Sequence, residues 1–148
     1  MNMNKLYVFL FGALFALMAC DKTENEIEAD KLKNIVYEAA LTTEEGDSQL
    51  ILKGEYVDET GKKVAVDADL PWKLTLKNVS PSIKGGFSGY VFSIKANRIV
   101  GTISMTVTPV GSSRPIYSNK KTLNITTNND LGFTGAELKE KTSFSFTE

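Results

Sequence analysis

Apolar and polar residues alternate with a period of two along most of the chain after Asn34. The clearest run lies between residues 99 and 108, where Ile103, Met105 and Val107 alternate with serine and threonine. Successive side chains of a β-strand point to opposite faces of its sheet, so this pattern predicts a strand with one face in a core and the other in water. A chain built of such runs forms β-sheets and no long helix.

Turn-forming residues separate the runs about every ten to fifteen residues, a spacing typical of antiparallel sandwiches. We therefore predict an antiparallel β-sandwich of roughly seven or eight strands, with immunoglobulin-like or related topology. The Cys…Trp…Cys pattern of immunoglobulin domains is missing, and a small up-and-down β-barrel is the alternative. The predicted strands occupy residues 34–42, 50–57, 64–66, 72–77, 90–95, 99–108, 123–127 and 143–146, with a short edge piece at 116–117.

One short helix is predicted near the end of the chain. Thr134 and Glu137 have the spacing of a capping box, in which each side chain bonds to the backbone of the other residue, so residues 135–141 form one or two helical turns. Two other stretches are predicted to interrupt the sheets. The glycine-rich segment 85–89 is predicted as a hairpin turn, and residues 67–71 are predicted to break the strand before them.

Aromatic side chains supply both the predicted core and the candidate binding residues. Tyr56, Trp72 and Tyr90 fall on the apolar faces of predicted strands, so we expect them to pack in the core. Phe87 and Tyr117 lie beside predicted loops, where an exposed ring contributes to a binding surface. Phe87 and Tyr117 are therefore the candidate ligand-binding residues.

The composition excludes several kinds of chemistry. The chain contains no histidine, so imidazole acid–base catalysis and histidine-ligated metals are excluded. Its only cysteine is Cys20, which leaves no internal disulfide, no thiolate zinc site and no redox pair. The formal net charge is -1 and the lysines are interspersed with acidic residues, so no basic surface for nucleic acid is expected.

The remaining motifs do not predict a catalytic or metal-binding site. Residues 118–121 have the S-x-x-K spacing of penicillin-binding serine enzymes, but the companion S-D-N and K-T-G elements are absent. Asp67, Asp69 and residues 128–130 supply oxygens that calcium prefers, but such residues are also common in turns. Adjacent acids at 44–47 lie on a predicted turn, unlike the facing carboxylates of a glycosidase. We predict no enzyme, no metal and no cofactor.

The chain begins with a short apolar segment. Lys5 precedes an apolar run, residues 6–18, of about thirteen residues, a length typical of signal peptides and shorter than a membrane-spanning helix. The run ends in Leu17-Met18-Ala19-Cys20, which resembles the lipobox of bacterial lipoproteins. The resemblance implies that residues 1–19 are a signal peptide that is removed, and that Cys20 is acylated and becomes the N-terminus. Acylation by more than one chain anchors a protein stably to a membrane.

Residues 20–33 are charged and free of aromatic side chains, so we expect them to form an acidic tether. The folded domain is then predicted to span residues 34–148 as a single unit. Acidic residues close behind the lipidated cysteine are similar to the export signals of Bacteroidetes-type lipoproteins. The resemblance implies a small envelope lipoprotein anchored to the outer membrane, and it leaves the surface and the periplasmic face as alternatives.

Together these features predict a non-catalytic, lipid-anchored envelope protein whose β-sandwich binds a protein or glycan partner. The membrane is a further expected partner, through the lipid on Cys20, and nucleic acid is not. The first alternative is a structural or assembly accessory of an envelope machine or adhesive fibre, with contacts made by strand edges. The second is a small hydrolase that uses carboxylates alone.

Replacement of Cys20 by alanine tests the predicted anchor. Cells grown with labelled palmitate should incorporate label into the wild-type chain and none into Cys20→Ala, because the acyl chains are attached at this residue. The variant should also be lost from the membrane fraction. Equal labelling of the two chains would exclude the lipoprotein interpretation.

Overall fold

A computed structural model describes residues 30–44, 49–93, 95–128 and 131–148 of the chain. These residues form eight strands and one helix, arranged as two antiparallel four-stranded sheets that are not closed into a barrel. The predicted β-sandwich is confirmed, and the barrel alternative is wrong. The predicted signal peptide, Cys20 and most of the predicted tether lie outside the described residues.

The two sheets contain four strands each and leave four strands at their edges. In chain order the elements are β1 (Lys33–Thr43), β2 (Leu50–Val57), β3 (Lys63–Asp69), β4 (Trp72–Val79), β5 (Gly86–Ser93), β6 (Arg98–Pro109), β7 (Tyr117–Thr126), α1 (Gly135–Thr142) and β8 (Phe144–Thr147). Sheet A has the strand order β4-β1-β6-β7, and sheet B has the order β3-β2-β5-β8. In an immunoglobulin domain the first strand lies at a sheet edge, whereas β1 lies inside sheet A, so the topology is of a related kind.

The inward faces of the two sheets supply one hydrophobic core. In β1 the predicted inward residues Ile35, Tyr37, Ala39 and Leu41 are all buried, and their neighbours in β6 alternate in the same way. Removal of apolar area from water, at roughly 25 cal/mol per Å², is the main stabilising term in such a sandwich. The largest fully buried apolar side chains are Tyr37, Phe87, Ile35, Leu41, Leu52, Ile99, Ile103, Met105, Leu138, Val79 and Val91.

The predicted facing of β5 is wrong. The strand begins at Gly86, so the segment predicted as a hairpin turn is extended, and Phe87 and Val91 face the core. Tyr90, which was predicted to pack in the core, and Phe92 on the same face of the strand lie on the outer side and are half-buried. Because sheet A covers one face of β5 and α1 packs against the strand from outside, both faces carry apolar residues and alternation does not distinguish them.

Gly89 gives the β5 segment the composition of a turn, but this glycine has a role inside the sheet. Gly89 lies opposite Gly54 of β2. A Cβ at Gly54 would lie 2.2 Å from the carbonyl oxygen of Ser88, and a Cβ at Gly89 would lie 2.4 Å from that of Lys53. The glycines therefore allow a close approach of two strands, which is a role of glycine inside a sheet rather than in a turn.

The helix α1 completes the edge of β5 beyond Gly89, where β8 begins. Its predicted capping box is confirmed: the Thr134 hydroxyl accepts a bond from the Glu137 amide, and the Glu137 carboxylate accepts one from the Thr134 amide. At the other end the buried Thr142 hydroxyl bonds to both backbone groups of Val91. Within the described ranges no helix is long and apolar enough to cross a membrane.

Other strand boundaries also differ from the prediction. β1 begins at Lys33, which was assigned to the tether, β3 continues to Asp69, and β7 is one strand of ten residues instead of two pieces. Asp67 lies on β3 and forms an ion pair with Lys53 of β2 at 2.8 Å. Backbone pairing continues wherever a neighbouring strand supplies the bonds, so polar outward side chains do not end a strand.

A buried ion pair joins the start of sheet A to the end of sheet B. Lys33 is 2% exposed, and its Nζ lies 2.6 and 2.7 Å from the two carboxylate oxygens of Glu148. The same carboxylate accepts a bond of 3.0 Å from the Gly85 amide, and the Glu148 amide donates to the Gly85 carbonyl. The three residues fix β1, β8 and the start of β5 at one end of the sandwich.

Removal of one partner from this pair should destabilise the fold strongly. Lys33→Met leaves the Glu148 carboxylate buried without a cation, so we expect the free energy of unfolding to fall by about 3 kcal/mol in urea denaturation. Lys73→Met removes an exposed pair with Glu38 and should change stability by less than about 0.5 kcal/mol.

A double variant separates the charge from the loss of packing. Lys33→Met combined with Glu148→Gln removes both charges and keeps an acceptor for the Gly85 amide, so it should recover part of the lost stability. Equal losses for Lys33→Met and Lys73→Met would contradict the structural role of the buried pair.

Candidate functional site

Phe87 is not an exposed ligand-binding residue. Its ring is 1% exposed and lies at the centre of an aromatic cluster in the core. The ring centroid is 5.4 Å from that of Tyr37, 5.6 Å from Trp72 and 4.6 Å from Phe144. Tyr56 and Trp72 pack against the same core, as predicted. The prediction that Phe87 presents an exposed ring is therefore wrong, because the residues around it form a strand and not a loop.

Tyr117 lies on the other sheet from Phe87. It begins β7 opposite Val107, is half-buried, and packs against the core from the edge of sheet A. The Asn119 side chain approaches its hydroxyl at 3.4 Å. The two predicted binding residues therefore belong to different sheets, and the structure does not bring them into one site.

A shallow cleft of about 180 Å³ lies on the outer face of sheet B, at the end where β2 and β3 are joined. Gly86 and Ser88 of β5 and Ser145 of β8 form its floor, because small side chains leave space between longer neighbours. Cavities that hold small-molecule ligands measure roughly 300–1,000 Å³, so this cleft has room for about one side chain or one sugar unit. The remaining lining residues are Glu55, Tyr56, Val57, Lys63, Lys84, Gly85, Phe87, Phe146 and Thr147.

The rim of the cleft carries two cations and one carboxylate. Lys63 forms an ion pair with Glu55 on the neighbouring strand, and both side chains are largely exposed. Lys84 is exposed beside Gly85 and has no ion-pair partner among the described residues. Hydroxyl groups of Ser88, Ser145 and Thr147 supply donors and acceptors between these charges.

A rigid turn borders the cleft between β2 and β3. The Asp58 carboxylate accepts bonds from the Thr60 hydroxyl, the Lys62 amide and the Thr60 amide. These bonds, chiefly that of the Thr60 hydroxyl, hold the pKa of Asp58 below its usual range. Gly61 has a φ of 84°, which favours glycine, and its Cβ position faces Ile83 at 3.2 Å.

Tyr37 lies beneath the floor of the cleft. Its hydroxyl donates a bond of 2.8 Å to the carbonyl of Val57, which lines the cleft above. Burial raises the pKa of Tyr37 to about 12, because a phenolate is poorly solvated in the core, while a bond from the Gly86 backbone opposes the shift. The Glu148 and Asp58 carboxylates also raise this pKa. The tyrosine is therefore neutral near pH 7 and acts as a support for the cleft, not as an acid.

β8 differs from the other edge strands in having no charged side chain. Lysines and other charges on an edge strand discourage pairing with another chain. β4, β7 and β3 all carry such residues, whereas the outward residues of β8 are Ser145 and Thr147. The charged residues on the other edges are Lys73 and Lys77, Lys120 and Lys121, and Lys63, Asp67 and Asp69.

Backbone groups on the outer edge of β8 point away from sheet B. The Glu148 amide donates to Gly85, and amides alternate in direction along a strand, so the Phe146 amide also faces β5. The amides of Ser145 and Thr147 therefore face outward. Among the described residues, β8 pairs with β5 and with no other strand. Lys121 covers only the start of β8, by bonds to the carbonyls of Lys141 and Ser143.

The arrangement is suited to binding an extended backbone and one side chain. A strand added to β8 would bond to the outward groups of Ser145 and Thr147, and its side chains would lie beside the cleft. Within the described ranges no group of three or more acidic or cysteine residues is placed to hold a metal ion. Asp67 and Asp69 bond to Lys53 and Gln49, and residues 129 and 130 of the calcium hypothesis lie outside the described residues.

Sequence reasoning did not identify the residues of this site. The alternation of Phe144 and Phe146 with serines predicted that Ser145 faces outward, which is correct. Its place at a sheet edge depends on the pairing of β8 with β5, between residues far apart in the chain. Lys63 and Lys84 lie in predicted turns and had no pattern that distinguished them from other surface lysines.

Models of protein families, curated proteins and solved structures gave no match to the chain. The edge strand β8 and the adjoining cleft are therefore the features that bear on the function of this chain.

Removal of the Tyr37 hydroxyl should change how stability depends on pH. The unfolded tyrosine ionises near pH 10 and the folded one near 12, so the folded state binds more protons between these values. This raised pKa lowers the stability of the wild-type protein as the pH rises through that window, by up to about 2 kcal/mol in total.

Tyr37→Phe should lack this component and should lose about 1 kcal/mol at neutral pH, with the bond to Val57. Urea denaturation at several pH values between 10 and 12 measures both effects. Identical pH dependence in the two proteins would show that Tyr37 is not the buried phenol described here.

Proposed function

We propose that the chain is a non-catalytic, lipid-anchored envelope protein whose β-sandwich binds an extended segment of a partner protein at β8 and the adjoining cleft. The observation that carries the proposal is the uncharged edge of β8, with the outward backbone groups of Ser145 and Thr147 beside a cleft. Main-chain bonds to the edge would supply affinity, and the cleft would select one side chain.

The anchoring part of the proposal is supported by the sequence of the leader. The only cysteine of the chain follows an apolar segment too short to span a bilayer, at the place where a lipoprotein is acylated. The proposed location is the outer membrane, with the domain on either its surface or its periplasmic side. The absence of histidine from the sequence supports a binding role over catalysis.

The cleft favours a peptide over a glycan. Sugar-binding sites present an aromatic face to the apolar face of the sugar ring. Phe87 and Phe146 line the cleft but are buried, and Tyr56 packs against the aromatic cluster of the core. The groups presented to a ligand are hydroxyls, lysines and the β8 backbone, which suit an extended chain.

The assembly alternative is supported by the same exposed edge of β8. A protein that pairs through β8 with a repeated subunit of a fibre or an envelope machine would use the same bonds as a receptor for one peptide. The edges of β4 and β7 are longer, but their lysines disfavour this use. Both functions therefore predict the same dependence on β8 and differ in the partner.

A proline at Ser145 tests the proposed edge. The Ser145 amide points away from β5, so Ser145→Pro removes an outward donor and keeps the bonds of β8 to sheet B. Asn124→Pro is the matched control on β7, because the Thr127 amide faces β6 and the Asn124 amide faces outward by alternation. A photo-crosslinking residue at Lys84, on the rim of the cleft, reports the partner in cells.

We expect a crosslinked protein adduct with the wild-type edge, its loss with Ser145→Pro, and its retention with Asn124→Pro. Thermal unfolding should show that both proline variants are folded. An adduct that forms equally in all three proteins would contradict binding at β8. If the protein binds to envelope polysaccharide and Ser145→Pro does not change that binding, the result would favour the glycan partner instead.

A further inference from the structure

Three of the four large exposed hydrophobic residues of the described chain lie at one end of the sandwich. Leu32 is 48% exposed, and Val110 and Ile116 are each 39% exposed. The fourth, Leu131, lies at the opposite end, between β7 and α1. Single exposed apolar side chains are common on proteins, and several of them at one place form a candidate interaction surface.

The three residues come from neighbouring strand ends of sheet A. Leu32 precedes β1 and accepts a bond of 2.7 Å from the Val110 amide, which follows β6. Ile116 precedes β7 and donates to the Val107 carbonyl of β6 at 2.9 Å. Since β1, β6 and β7 are adjacent in sheet A, these three residues lie at neighbouring strand ends. We call them the apolar end.

The loop between Val110 and Ile116 has a defined shape. Gly111 has a φ of 85°, and a Cβ at this position would meet nothing within 4 Å. The Ser112 amide bonds to the Pro109 carbonyl, and its hydroxyl bonds to the backbone of Arg114. The exposed Arg114 therefore projects from a fixed turn beside the apolar end.

The chain enters the domain at this same place. Residues 20–31 lead directly to Leu32, and twelve extended residues span at most about 40 Å. If Cys20 carries the lipid, the apolar end is the part of the domain that the anchor holds nearest to the bilayer. A short flexible tether gives an effective concentration in roughly the millimolar range, which favours a weak contact between the domain and the surface.

The chemistry of the apolar end matches the interfacial region of a bilayer. Leu, Val and Ile side chains bury their apolar area at the boundary between headgroups and acyl chains. Lys31 and Arg114 are exposed beside them and suit the phosphate groups of lipids, while Asp30 and Glu59 are exposed acids at the same end. Lys33 and Glu148 neutralise each other in the interior of the same end.

We infer that the apolar end, formed by Leu32, Val110 and Ile116, rests on the lipid surface when the protein is anchored. This inference rests on the proposed function, because it requires the lipid on Cys20. It orients the domain with the turns at 58–62, 80–85 and 110–116 toward the membrane. The cleft lies at this end, so a partner bound at β8 would be held close to the bilayer.

A fluorescent label at the loop tip tests this orientation. Acylation uses the only natural cysteine, so a cysteine introduced by Ser113→Cys is the only free thiol and takes a polarity-sensitive dye. Thr126→Cys, at the other end of β7 and roughly 30 Å away, is the matched control. The full lipoprotein is reconstituted in phosphatidylethanolamine–phosphatidylglycerol vesicles with a nitroxide on the lipid headgroup.

We expect the Ser113 label to emit at shorter wavelength and to be quenched several-fold more strongly than the label at Thr126. Adding Val110→Ser and Ile116→Ser to the Ser113-labelled protein should abolish most of that difference while the protein still floats with the vesicles. A shift that grows with protein density without quenching would assign the apolar end to a second copy of the chain and overturn the inference.

Flotation distinguishes the two proposals. Protein that floats with vesicles while both labels remain in water would contradict the orientation and leave the anchor intact. Wild-type protein, processed in cells and purified, that does not float would contradict the lipid anchor itself. If the serine variant keeps the difference in emission and quenching between the two label positions, groups other than the apolar end orient the domain. That result would also overturn the inference.

Discussion

The ion pair between Lys33 and Glu148 connects the features on which the proposed function of this protein depends. It joins the start of β1 to the end of β8, from opposite sheets, and the carboxylate also holds Gly85 at the margin of the cleft. Two charges in a core are costly to desolvate, so the pair persists only because each charge neutralises the other and the carboxylate has a further donor. The entry of the chain, the edge strand and the cleft are thereby fixed at one end.

β8 is short because α1 takes its place along the second half of β5. β8 pairs with only the first half of β5, and Thr142 bonds to the backbone of Val91 where the strand pairing ends. The backbone groups of β8 that point away from β5 belong to two hydroxyl residues, Ser145 and Thr147. An uncharged edge beside small side chains favours strand addition, and the other three edges carry charges that oppose it.

The sequence predicted the fold class and most inward faces, because period-two alternation is a local property. Ile35 to Leu41 and Ile103 to Val107 were placed correctly by alternation alone. The facing of β5 was not predictable in this way, since its two faces are covered by sheet A and by α1. Gly86 and Gly89 are typical of turns, and only the partner strand shows that Gly89 lies opposite Gly54.

The site was harder to predict than the fold. Phe87 and Tyr117 were chosen as rings beside loops, and both belong to strands that pack against the core. The residues of the cleft acquire their significance from strand order, which joins residue 86 to residue 147. The anchor is different, because Leu17 to Cys20 is a contiguous motif, and it is a prediction about residues outside the described ranges.

Amide hydrogen exchange in the free, full-length lipoprotein tests the central claim, that β8 has an open edge, most directly. Amides in a strand ladder exchange slowly, and amides that face water exchange fast. We predict fast exchange at Ser145 and Thr147 and slow exchange at Phe146, whose amide bonds to β5, with the first two becoming slow when the partner binds. Slow exchange at Ser145 and Thr147 in the free protein would show that the edge is already occupied and would contradict the account.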